Sequence, residues 1–127
     1  MPTITSVKRV FVSVGTNDIR YAKDGVNHLY SPMQNLLEKI KLYYPNATVY
    51  VQSLLPQRVD NKHTVSNVLS FNKLLIKVCT VTQSMFLDIL KNFLLPNMCR
   101  NTNLYCQDGV HLNYIGLGAL ARAYIYI

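Results

Sequence analysis

Val7-Lys8-Arg9-Val10-Phe11-Val12-Ser13-Val14 runs straight into Gly15-Thr16-Asn17-Asp18. Eight residues rich in β-branched side chains, closed by a turn signal, predict a buried strand over 7–14 that feeds a loop. Ser31-Pro32 then opens a helix, with Ser31 as N-cap and Pro32 in the first helical position. Met33, Leu36, Leu37 and Ile40 recur at helical spacing, and Pro45-Asn46 ends the helix with a turn. A second strand is expected over 48–54 and a polar loop over 56–62. A second helix over 65–80 carries Val68, Leu69, Leu75, Ile76 and Cys79 at helical spacing. A short third strand follows over 85–89, then an irregular stretch over 91–107. The last helix covers 115–126, where Gly116, Gly118, Ala119, Ala121 and Ala123 allow close packing on a sheet.

Strands that alternate with helices imply right-handed crossovers and a parallel sheet. In such sheets, sites gather at the carboxyl ends of the strands. The loop after the first strand, the loop beginning at Pro56, and the segment before the last helix all fall there. Topology therefore brings residues 15–18 and 108–111 to one edge, despite their separation in sequence.

With 127 residues, half of them hydrophobic, the chain makes one domain over 1–127 with enough material for a core. No apolar run approaches the ~20 residues that span a bilayer. Residues 1–9 are polar and lack an apolar leader segment, so cytoplasmic residence is the default expectation. Thirteen basic residues against six acidic ones give a net charge of +7. The basic residues are scattered rather than clustered, which favours a solvated surface over a nucleic-acid site. Cys79, Cys99 and Cys106 fit no zinc spacing, so no metal or other cofactor is expected. Cys79 falls on a helix's apolar face, as core thiols do. Cys99 and Cys106 bracket a polar loop and would pair only in an oxidising compartment. His28 and His63 fall in polar stretches, where solvated histidines are ordinary.

Two short motifs carry chemistry. In Asp108-Gly109-Val110-His111 a carboxylate stands three residues before a histidine. If Asp108 accepts the Nδ1 proton, Nε2 of His111 is free to act as a general base. In Gly15-Thr16-Asn17-Asp18 the Asn17 amide and nearby backbone N–H groups could donate to a developing oxyanion. Each motif alone also reads as an ordinary turn.

In this order and on this pattern, the two motifs resemble the third and fifth blocks of the SGNH (GDSL-type) esterase/lipase family. Phe71-Asn72-Lys73-Leu74 looks like that family's helix before its last strand. Leu112-Asn113 with Gly116 fits its run into the C-terminal helix. The resemblance covers roughly residues 7–126. It implies a flavodoxin-like three-layer α/β/α sandwich with a parallel sheet of about five strands. It also implies Ser/His/Asp chemistry on small acyl esters. His111 would be the base, Asp108 its partner, Asn17 and Gly15 oxyanion-hole donors, and Thr16 and Asp18 part of the site loop.

The family's Gly-Asp-Ser block, which carries the nucleophile, appears nowhere in the sequence. Ser6 and Ser13 stand before and within the first strand, without a nucleophile-type turn. The chain therefore reads as the C-terminal part of such a domain, with about three strands, its N-terminal strands missing, and no activity of its own. An upstream segment or a second copy would complete the sheet. The alternative is a non-catalytic module of the same fold that binds RNA or a protein partner. Its nine tyrosines could stack on bases.

Overall fold

The computed structural model describes residues 2–15, 24–56, 62–97 and 99–125, with the side chains of 62–66 left out. Three strands, β1 (Arg9–Val12), β2 (Thr48–Gln52) and β3 (Met85–Leu87), form a parallel sheet in the order β1-β2-β3. Arg9 stands opposite Thr48, and Tyr50 opposite Met85. Helix α1 (Tyr30–Tyr43) joins β1 to β2, and α2 (Lys62–Thr82) joins β2 to β3. Helix α3 (Tyr114–Ile125) follows two single 3₁₀ turns, Leu90–Phe93 and Thr102–Leu104. This is an incomplete flavodoxin-like α/β domain, with the element order that the sequence predicts.

The sheet sorts its side chains by the two-residue period of a strand. Val10, Val12, Val49, Val51 and Phe86 face α1 and α2 and join Met33, Leu37, Val68, Phe71, Leu74, Leu75, Val78 and Cys79 in the main core. The opposite face carries Phe11 and Tyr50, whose rings stack at 5.0 Å, with Tyr124 of α3 5.3 Å from Phe11. The Tyr124 hydroxyl donates to Gln52 Oε1. A smaller cluster of Ile89, Phe93, Leu104 and Tyr105 supports α3 from below.

Several expectations shift. The strands are shorter than the apolar runs that encode them, because pairing stops where the sheet does: β1 keeps only Arg9–Val12, and β3 ends at Leu87. Ser31 is not an N-cap. A 3₁₀ turn, Asn27–Leu29, runs directly into α1, so the cap position falls on Leu29 and Ser31 lies inside the helix. Leu69 and Ile76 do not face the core. They are exposed on α2, while Phe71, Leu74 and Val78 take the buried stripe. His63 lies within α2 rather than in a loop. Cys99 and Cys106 are both free and exposed. Cys79 is buried as expected, and burial pushes its thiol up to about 11. No helix among the described residues is long and apolar enough to cross a membrane.

Two buried polar side chains fasten β2 to its neighbours. The Leu54 amide donates to Asn72 Oδ1 at 2.8 Å, and Asn72 Nδ2 returns a bond to the Leu54 carbonyl at 3.3 Å. Ser53 Oγ accepts from the Ile89 amide at 3.1 Å. Paired in this way, neither side chain leaves an unsatisfied group in the core.

Candidate functional site

The chain after β3 builds a small platform before α3. Leu94 bridges Arg100, and Tyr105 bridges Leu112, both antiparallel. The second bridge closes a turn whose inner bonds run from the Cys106 amide to the His111 carbonyl at 2.8 Å and from the Gly109 amide to the Cys106 carbonyl at 3.0 Å. Asp108 and His111 sit in that turn.

Asp108 divides its two oxygens. Oδ1 accepts from the backbone amides of Val110 at 2.9 Å and His111 at 3.0 Å. Oδ2 is left to Nδ1 of His111, 2.5 Å away. The Asx turn thus fixes the carboxylate, and the carboxylate fixes the ring. The bond to His111, reinforced by the two backbone donors, holds the Asp108 carboxyl well below the usual carboxylate range. The pair lies open to solvent, with the His111 side chain 79% and Asp108 48% exposed. Oriented by Asp108, the ring leaves Nε2 as an acceptor that can take a proton.

Residues from other elements hold the turn in place. Arg100 Nη1 donates to the Gly109 carbonyl at 2.8 Å, and its guanidinium lies 5.1 Å from the centre of the Tyr105 ring. Tyr105 donates its hydroxyl to the Pro56 carbonyl at 2.5 Å, which ties the platform to the exit of β2. Burial pushes the Tyr105 hydroxyl upward, so it remains a donor. Asn113 caps α3 by accepting from the Gly116 amide at 2.9 Å, while its Nδ2 donates to the carbonyls of Asn103 and Tyr105. Arg100 and Tyr105 carry no sequence signal of their own. Their partners are a backbone carbonyl and a residue 49 positions away.

Gly15 stands just past β1 with φ +110°, and a Cβ there would meet the Phe71 ring at 2.5 Å. Both the backbone region and the space require glycine. Thr16, Asn17 and Asp18 lie outside the described residues. A cavity of about 640 Å³ lies elsewhere, between the end of β3 and α3, and neither Asp108 nor His111 is among its lining residues. No group of three or more metal-ligating side chains occurs among the described residues.

Solved structures share the fold of this chain. A protein of Streptococcus pneumoniae assigned as a platelet activating factor superposes with a TM-score of 0.79 at 19% identity, over 94% of this chain and 58% of that one. The acetylxylan esterase Axe2 of Geobacillus stearothermophilus does so with a TM-score of 0.72 at 16% identity, over 94% and 58%. The chain has an SGNH/GDSL hydrolase-like fold. A GDSL-like lipase of Parabacteroides merdae agrees, with a TM-score of 0.72 at 19% identity, over 91% of this chain and 58% of that one. No family model matches the sequence, and no curated relative matches it. The chain spans less than two thirds of the length of each of these structures.

Proposed function

We propose that residues 1–127 form the C-terminal part of an SGNH-type domain that supplies the base half of an ester-hydrolysing site. The observation that carries this is the division of labour at Asp108: two backbone amides occupy Oδ1, and Oδ2 alone holds Nδ1 of His111. In this reading, His111 Nε2 takes the proton from a serine hydroxyl as its oxygen attacks the acyl carbon. The oxyanion is met by the Asn17 amide and the Gly15 N–H. His111 then protonates the departing alcohol, and water hydrolyses the acyl-enzyme with the same base. The serine comes from outside this sequence, so the chain by itself is expected to leave p-nitrophenyl acetate intact. Turnover by the purified chain that disappears in His111→Ala would reveal a nucleophile within these residues and overturn that expectation.

A second reading is a non-catalytic module that binds RNA. A groove of about 430 Å³ lined by Asn27, Tyr30, Ser70, Lys73, Leu74 and Lys77 favours it. Among the described residues, no carboxylate lines that groove. This reading gives no task to the Asp108–His111 pair, and for that reason it ranks behind the first.

A further inference from the structure

We propose that the outer edge of β3 and the hollow beside it bind an extended peptide by its free carboxyl terminus. The site is separate from the Asp108–His111 turn and does not depend on the half-site reading.

Hydrogen-bond direction defines the edge. The Ser53 amide donates to the Leu87 carbonyl at 2.9 Å, and β2 and β3 are parallel, with Gln52 opposite Leu87. In a parallel pair, every second residue turns both backbone groups toward the same neighbour. Met85 and Leu87 therefore serve β2, and Phe86 and Asp88 point outward. Strand β3 stands last in the sheet order, and among the described residues no strand lies beyond it. Open backbone groups of this kind can pair with one more extended chain.

The hollow of about 640 Å³ borders this edge, because Phe86, Leu87 and Asp88 all line it. Its volume falls in the range of about 300–1,000 Å³ usual for ligand sites. The far wall is α3, where Ala119 and Ala123 stand one turn apart with Arg122 beside them. A larger side chain at either alanine would take up the space. Phe86 and Ile89 add apolar lining, so the hollow suits an apolar terminal residue.

Charge selects the terminus. Lys91, Arg122 and the Asn92 amide line the hollow, against the single carboxylate of Asp88. All four side chains are exposed. Among the described residues, no hydrogen bond or ion pair engages any of them. Two cations and an amide donor favour a bound carboxylate, and a guanidinium presents a fork that can take both of its oxygens. Lys91 and Asn92 follow the end of β3, so a carboxyl terminus held there sets the peptide parallel to the strand. A short edge strand with charges at its end discourages indiscriminate pairing, which leaves the terminal carboxylate as the feature that admits a partner.

The test uses the 127-residue chain and the peptide acetyl-Thr-Val-Thr-Val-Val, either with a free carboxyl terminus or amidated. In an NMR titration the acid should give saturable shifts at Phe86, Asp88 and Arg122. Exchange of the Phe86 and Asp88 amides should slow at least about tenfold in the complex. The amidated peptide should bind at least about tenfold more weakly. Arg122→Ala should weaken the acid by a similar factor, and Arg122→Lys should restore part of the loss. Asp88→Asn, which removes the like charge, should tighten binding severalfold. Equal affinity for the acid and the amide would overturn the carboxylate recognition. Unchanged exchange in the saturated complex would overturn the added strand, and the lack of any saturable shift would overturn the site. Protection of Phe86 and Asp88 that grows with protein concentration, without peptide, would assign the edge to a second copy and overturn the proposal.

Discussion

At the scale of single residues, Asp108 decides most. Its carboxyl is held low by His111 and by two amides, so its contribution to stability has a defined pH window. A carboxylate with a depressed folded value stabilises fully above its unfolded value of about 4, and that stabilisation fades as pH falls through the folded value. The pair is exposed and screened, so the effect should be modest. Thermal melts from pH 7 to pH 2 should show Asp108→Asn melting below the wild type near neutrality. The gap should narrow steadily below about pH 4, and a gap that stays constant would show that Asp108 is not held in this way. The sequence displays this pair openly because an Asx turn is local. Arg100 and Tyr105, which hold the same turn, leave no such trace. Their roles arise only when the chain after β3 folds back on the exit of β2.

At the scale of elements, periodicity reveals the order of strands and helices but not their limits. The apolar run over 7–14 predicts a longer strand than β1, because only four of its residues find a partner in the sheet. On α2, Leu69 and Ile76 fit helical spacing yet face outward, since helical spacing alone does not say which apolar stripe meets the sheet. Packing of α3 is more tightly specified. A Cβ on Gly116 would come within 2.0 Å of the Leu104 carbonyl oxygen, and backbone cannot give way as a side chain can. Gly116→Ala must therefore lift α3 away from the 3₁₀ turn at Thr102–Leu104 and strain the Asn113 cap. The expected cost is about 2 kcal/mol, or roughly 5–10 °C in melting temperature. Gly118→Ala makes a suitable control, because the added carbon meets only the flexible end of Arg122, at 3.6 Å. Equal melting temperatures for the two variants would show that the close approach at Gly116 is not maintained in solution.

At the scale of the whole molecule, the two faces of the sheet are unequal. One is sealed by α1 and α2 over a continuous core that includes Leu37, Leu75 and Val78, all fully buried. The other holds α3, in which Gly116 is the one buried residue and Ile115, Leu117 and Ile125 remain exposed although the helix is largely apolar. Local stability follows the apolar contacts that an opening would break. Helix α3 and the Asp108–His111 turn that leads into it should therefore open well below the free energy of global unfolding. The core residues of α2 should open only with the whole. Hydrogen exchange on the 127-residue chain should find the amides of Leu117–Ala123 at least about tenfold less protected than those of Leu74–Cys79. The same contrast bears on function, because a base must stay within hydrogen-bond reach of the proton it takes. On the proposed reading, a half-covered sheet that lets α3 breathe carries the base but does not hold it still, and equal protection of the two helices would refute that account.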